Sequence, residues 1–243
     1  MKKFVDLHLS PPLEKMERVE SMIKVSSMLN YKLIGISFPI NVKAAQIDQV
    51  RNLCKSYGVD MATRIDLSPS DPKELLRLLR QVRRRFEVVS VICNSKPVAR
   101  QAAKDRRVDI LSFKSTERQR RFFDKSEAEL AANALASLEI DMSLILSVHG
   151  FLRIRLLSIL RREVATALHY DVPTIISSGA VNEFWLRAPR DYAALAALFD
   201  MPGAEALKSL CENPLRIVTR NREKLNPSFV APGVRVVRFG DDC

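Results

Sequence analysis

Seven polar side chains interrupt the apolar stretches of this chain: Asp6, His8, Arg64, Asp66, Glu139, Asp141 and Ser143. Side chains alternate along a strand, so Asp6 shares a face with His8, Arg64 with Asp66, and Glu139 with Asp141. Carboxylates and an imidazole gathered at one end of a sheet are the ligands of metal-dependent phosphoester hydrolysis. The make-up of this set points elsewhere. A multinuclear metal site needs several nitrogen and oxygen ligands converging with outer support. Beyond His8 the chain offers only His149 and His169, and His169 falls at the far end of a helix. Arg64 repels a cation and pairs with Asp66 instead. The expectation is a buried ion-pair network with no metal ligands and no catalytic residue. Cys54, Cys93, Cys211 and Cys243 lack any CxxC spacing and read as buried thiols.

The second chemical feature is positive charge. Lys and Arg number 39 against 28 Asp and Glu, a net +11, which favours a polyanionic partner without distinguishing RNA, DNA and acidic lipid. Lys73, Arg77, Arg80 and Arg84 recur every three or four residues and share one helical face, opposite Leu75, Leu79, Val82 and Phe86. Lys114, Arg118, Arg120, Arg121 and Lys125 form a second concentration, and Arg216, Arg220 and Lys224 a third. Lys96 follows a strand, whereas Arg106 and Arg107 precede one. The Lys73 to Arg84 ridge reads equally as a solvated outer helix face.

The elements that position these groups alternate. Strands are expected over 4–9, 33–38, 59–67, 88–93, 108–113, 138–142 and 172–176. Helices fall between them, including 72–86, 124–136 and 151–169. Parallel neighbours need crossovers, so this order predicts an α/β fold with a parallel sheet. With 7 glycines and no glycine-rich phosphate loop, a nucleotide-binding open sheet is disfavoured. Seven strands fit a barrel lacking a clear eighth, followed by helices over 192–199, 204–210 and from 213 onward. The barrel unit is expected over 1–225, with an extended or partly disordered tail over 226–243. The opening MKKFVDLHLS is too short and charged for a signal peptide, and no run approaches a membrane span. A cytoplasmic protein with no membrane partner is the expectation.

The stretch VPTIISSGAVNEFWLRAPRDYAAL carries a strand, a serine-glycine opening, Asn182, the only tryptophan Trp185, Arg187, Arg190 and a proline-started helix. Trp185 is expected partly buried, and Arg187 beside Asp191. Ser95, Lys96, Ser112, Lys114, Ser177, Ser178 and Arg187 should lie beyond strand C-termini, the rim where barrels carry function. Together with VDLHLS, VICNSKPVAR, RVDILSF, FDKSEAELA, LEIDMSLIL and SLCENPLRIVTRNREKLNPSF, this stretch resembles the archaeal ribonuclease P protein component 3 family, relatives of the thirty-kilodalton eukaryotic subunit. The matching segments run over 4–229.

The resemblance implies an irregular TIM-type (β/α) barrel with extra C-terminal helices. It implies an RNA-binding subunit that assists RNA-catalysed removal of the 5′ leader from precursor tRNA. Its partners would be ribonuclease P RNA, a small α+β protein subunit, the other proteins of the complex and, indirectly, precursor tRNA. No cofactor is expected on the protein itself, and magnesium is expected on the RNA. The family is akin to PHP-type barrel hydrolases, whose first strand opens with His-x-His. Here that segment is Asp6-Leu7-His8, one imidazole short, so a PHP-like metal-dependent phosphoesterase is the alternative. The expected RNA contacts are Lys73, Arg77, Arg80, Arg84, Lys96, Arg107, Lys114, Arg187, Arg190, Arg216 and Arg220.

Overall fold

The computed structural model describes residues 2–231 and 233–236. Seven strands form one parallel sheet in sequence order: β1 Phe4–Leu9, β2 Tyr31–Ser37, β3 Asp60–Leu67, β4 Val88–Ile92, β5 Ile110–Ser112, β6 Ser137–Asp141 and β7 Thr174–Ser177. The helices between them are α1 Met16–Met28, α2 Ala44–Ser56, α3 Pro72–Val82, α4 Lys96–Lys104, α5 Lys125–Ala134, α6 Met142–Ser147 and α7 Gly150–His169. After β7 come α8 Pro189–Leu195, α9 Gly203–Leu210 and α10 Glu212–Leu225. This is the parallel sheet that the alternation predicts, in the irregular TIM-like barrel with additional C-terminal helices that the family resemblance implies.

No eighth strand closes the ring among the described residues. At the C-terminal end, Leu9 bridges to Ala180 and the Ser10 amide donates to the Ala180 carbonyl at 2.8 Å, so β1 meets the chain leaving β7. At the N-terminal end α9 and α10 take the missing place. Ile217 and Val218 of α10 pack against Val5, Leu33, Ala62, Val88, Ile110 and Ile175, a layer of inward apolar side chains. Polar contacts pin the two helices there. Thr174 Oγ1 meets Ser209 Oγ at 2.6 Å, Asn213 donates to the Thr174 carbonyl at 2.9 Å, and Asn221 donates to the Glu87 carbonyl at 2.7 Å. Arg222 binds both Asp60 and Glu87. The larger core lies between the strands and the surrounding helices.

Local chemistry explains the boundaries. Asp71 accepts from the Lys73 and Glu74 amides at 2.7 and 2.9 Å and starts α3, while Glu74 reaches back to Ser70. The helix stops at Val82, so Arg84 sits in the turn beyond it and not on the helix. The sequence reading lacks α6, because a short apolar run such as MSLILS fits strand and helix alike. Its start signal is Asp141, which accepts from the Ser143 amide at 2.9 Å. In the tail, β8 Phe229–Ala231 pairs antiparallel with β9 Val234–Arg235. Of the expected tail, residues 232 and 237–243, with Cys243, lie outside the described residues. The three described cysteines are buried, and burial pushes the Cys54 thiol up to about 12.

Candidate nucleic-acid interface and barrel mouth

Inward positions of the barrel change character with height. Above the apolar layer stand Arg64 of β3, Ser90 of β4, Ser112 of β5, Glu139 of β6 and Ser177 of β7. Arg64 is fully buried and donates to Glu139 at 2.6 and 3.0 Å, to Asp66 at 2.6 and 3.0 Å, and to Ser90 at 3.1 Å. It also donates to the Leu7 carbonyl at 3.0 Å. That carbonyl lies where the β1–β2 register shifts between Asp6 and Leu9, opposite Gly35, whose missing Cβ would stand 2.4 Å from it. Burial alone would raise the Glu139 and Asp66 carboxyls; the Arg64 guanidinium instead holds both well below the usual range.

The same register shift turns His8 into the mouth, with Nδ1 3.4 Å from Glu139 and 3.7 Å from Asp141. Lys114, at the end of β5, binds Asp141 and approaches His8 Nδ1 at 3.5 Å. Ser177 donates to Glu139 at 2.9 Å, and Ser143 donates to Asp141 at 2.5 Å. Asp6 does not join this group. Its Oδ1 accepts the His8 and Ser178 amides at 3.1 Å each, where β1 meets the chain after β7. Its other oxygen has no partner among the described residues, and burial raises its pKa.

Such a mouth is poorly suited to a metal centre. It has one imidazole, and its carboxylates surround a guanidinium and an ammonium that repel further cations. The PHP-like ligand set therefore does not fit.

One concave feature, rich in basic side chains, is a groove of about 670 Å³ outside the mouth. It is walled by Lys96 at the start of α4, Arg118 and Phe122 of the loop after β5, Lys125 of α5 and Arg162 of α7. Arg121 anchors that loop and is not surface charge. It is buried, binds Glu163 of α7 at 2.6 and 2.8 Å, and donates to the Phe113 and Ser115 carbonyls. Within the groove, Lys96 stands 3.3 Å from Asp124, the cap of α5. A hydrogen bond from Glu127 and the nearby lysine pull Asp124 down to about 2. Arg118 and Arg162 have no ion pair among the described residues.

Comparison with known proteins gives this surface a context. The family model of RNase P subunit p30 matches residues 3–226. The chain belongs to the RNase P p30 family. Ribonuclease P protein component 3 of Methanococcoides burtonii is 32% identical over 238 residues, spanning 97% of this chain and 94% of that relative. Its counterpart in Methanosarcina barkeri is 35% identical over 183 residues, 73% of each chain. A chain of the cryo-EM structure of archaeal ribonuclease P with mature tRNA shares the fold, with a TM-score of 0.83 at 21% identity over 97% of this chain and 98% of that one. A putative prolidase from Bifidobacterium longum is a more distant fold relative, at TM-score 0.54, 9% identity, and 91% and 70% coverage.

The expected RNA contacts fall in two kinds of setting. Lys73, Arg77, Arg80 and Arg84 are exposed along α3 and its following turn, with Arg77 3.7 Å from Glu74. Lys96 lies in the groove, and Arg190 and Arg216 are exposed at the opposite end of the barrel, near Lys2 and Glu212 respectively. Four others are engaged by the protein. Lys114 binds Asp141, Arg107 clasps Asp105 at 2.7 and 2.9 Å, and Arg220 binds Asp109 at 2.7 Å. Arg187 donates to the Phe184 and Leu186 carbonyls at 2.7 Å, where pairing with Asp191 was expected. Trp185 is half-buried against the core, as expected. Arg162 was missed. Its signal was the absence of any Asp or Glu over 142–162.

Proposed function

We propose that this chain is an RNA-binding subunit of ribonuclease P, assisting the RNA-catalysed removal of the 5′ leader from precursor tRNA. The observation that carries this reading is the division of charge. Interior carboxylates are neutralised by Arg64, Lys114, Arg121, Arg220 and Arg222, while Arg118 and Arg162, without an ion pair among the described residues, and Lys96 and Lys125, paired only with the exposed Asp124 and Glu129, converge on one groove. Helices α3, α4, α5 and α7 are successive neighbours, so the α3 ridge and the groove share one flank of the barrel. Spaced guanidinium and ammonium groups on such a flank suit phosphates of a folded RNA backbone. Neutralising crowded phosphates lowers the cost of compacting the RNA and its demand for magnesium, which belongs to the RNA. The protein acts with a small α+β subunit and the other proteins of the particle, in the cytoplasm. No described helix is long and apolar enough to cross a membrane.

The test is RNA affinity against salt. Each phosphate contact contributes a slope of about 0.7 to 0.9 in log K against log salt. Lys96→Glu, Lys125→Glu and Arg162→Glu should each flatten the slope by about one unit and raise the magnesium needed for cleavage by the reconstituted particle. Arg216→Glu, outside this flank, should leave both unchanged. Equal slopes for all four variants would remove the groove from the RNA surface.

A further inference from the structure

At 20 residues α7 is about 30 Å long, and its side chains are buried only from Leu156 onward. The six residues 150–155 extend about 9 Å past the last side chain that the barrel covers. Their composition is not that of a solvated end. Phe151 is 76% exposed, Leu152 52% and Ile154 66%, and Phe151 and Ile154 share one helical face. Leu144, Leu146 and Val148, half-buried on α6 and in the link that follows it, pack back against the core. Large apolar side chains grouped this way mark a contact surface, unlike single exposed hydrophobics.

Charge identifies the occupant. His149, Arg153 and Arg155 flank the patch, Arg153 held by the Val148 carbonyl at 2.7 Å and close to His149 at 3.0 Å. No carboxylate occurs from 142 to 162. A second copy packed with this patch centred on a two-fold axis would bring the two sets of basic groups together with no acid of 142–162 to pair them. RNA would meet aliphatic Leu152 and Ile154, which offer phosphates nothing. We propose that the α6–α7 projection docks another protein subunit of the same particle, one that presents carboxylates around an apolar recess taking Phe151 and Ile154. This rests on the ribonuclease P reading. It assigns the projection to protein and the neighbouring groove to RNA.

The experiment titrates the full-length chain, by calorimetry, with each remaining protein subunit of its own ribonuclease P expressed singly. RNA affinity and sedimentation velocity are measured alongside. One subunit should bind the wild type. Phe151→Ser/Ile154→Ser should weaken that complex at least about tenfold, as loss of a central anchor does. Arg155→Glu should weaken it too, with a shallower salt dependence of the association rate. Met28→Ser, which removes an equally exposed side chain on α1, should change nothing. Unaltered melting of the double variant shows that the effect is not one of folding. Undiminished binding by the double variant overturns the proposal. So does concentration-dependent self-association abolished by Phe151→Ser, which would assign the patch to a second copy, or a loss confined to RNA affinity. If the wild type neither binds the RNA nor stimulates its cleavage, the ribonuclease P reading has failed, and the outcome is distinct from loss of the docking surface alone.

Discussion

Removing the guanidinium at the centre of the mouth gives the sharpest test of how this barrel holds together. Arg64→Met preserves most of the side-chain volume and deletes every hydrogen bond that Glu139 and Asp66 receive from Arg64. The buried Glu139 and the half-buried Asp66 carboxylates are then left without their principal counter-charge. Breaking a buried pair on one side costs about 3–5 kcal/mol. A second route reaches the same size. If Glu139 takes up a proton instead, moving a carboxyl of ordinary pKa near 4.3 into its neutral form at pH 7 costs about 3.7 kcal/mol. For a chain of 243 residues that is a fall of roughly 6–20 °C in midpoint. The second route also sets a pH signature. Protonation becomes cheaper by about 1.4 kcal/mol per unit, so the variant should recover about 2.7 kcal/mol relative to wild type between pH 7 and pH 5. Urea denaturation at both values measures this. Arg64→Met/Glu139→Met, which removes charge on both sides, should regain much of the loss. A destabilisation under about 1 kcal/mol at pH 7, or a variant whose deficit is the same at pH 5, would refute the ion-pair account of the mouth.

Asp6 should behave in the opposite sense. Its folded pKa is raised by burial, so its contribution is complete below the unfolded value near 3.9 and is lost as pH rises through the folded one. Asp6→Asn should therefore be more stable than wild type at neutral pH, with the gap closing toward pH 4 in parallel denaturation curves. Gly179 has φ of +61°, and a Cβ there would stand 2.1 Å from Asp141 Oδ1. Gly179→Ala should cost about 1–3 kcal/mol in backbone strain, plus whatever the clash adds, read as a lower urea midpoint. Glu163→Ala unpairs the buried Arg121 and should cost about 3–5 kcal/mol. Because Arg121 holds the loop that bears Arg118, the same variant should weaken RNA binding and flatten its salt slope.

Much of the architecture is legible from local pattern. Alternation of apolar strands with amphipathic helices is a one-dimensional property, and it is enough to require a parallel sheet with crossovers. Arg64 and Asp66, two apart on a strand, must share a face, and their pairing follows from charge alone. The capped start at Asp71 likewise depends only on residues within one turn. Other features need distances across the chain. Asp6 and His8 should share a face by the same rule, yet the register shift in β1 sends His8 to the mouth and leaves Asp6 beside Ser178. A bulge depends on the partner strand, and here on Gly35, so strand alternation within β1 could not foretell it.

Charge divides along the same line. The sequence determined how many cations the protein carries, that α3 bears a row of them, and that a polyanion is the natural partner. It could not separate cations that hold the fold from cations that face outward. Arg107, Arg121, Arg187 and Arg220 look alike in a string of letters, but each meets an acceptor that folding delivers: Asp105, Glu163, the Phe184 carbonyl and Asp109. Only the tertiary structure decided that Lys96, Lys125 and Arg162, from three helices, line one groove, and that Arg162 there has no carboxylate within reach while Lys96 and Lys125 meet only exposed ones. The exposed start of α7 is the same lesson for apolar residues, since whether Phe151 and Ile154 are core or contact depends on where the barrel ends.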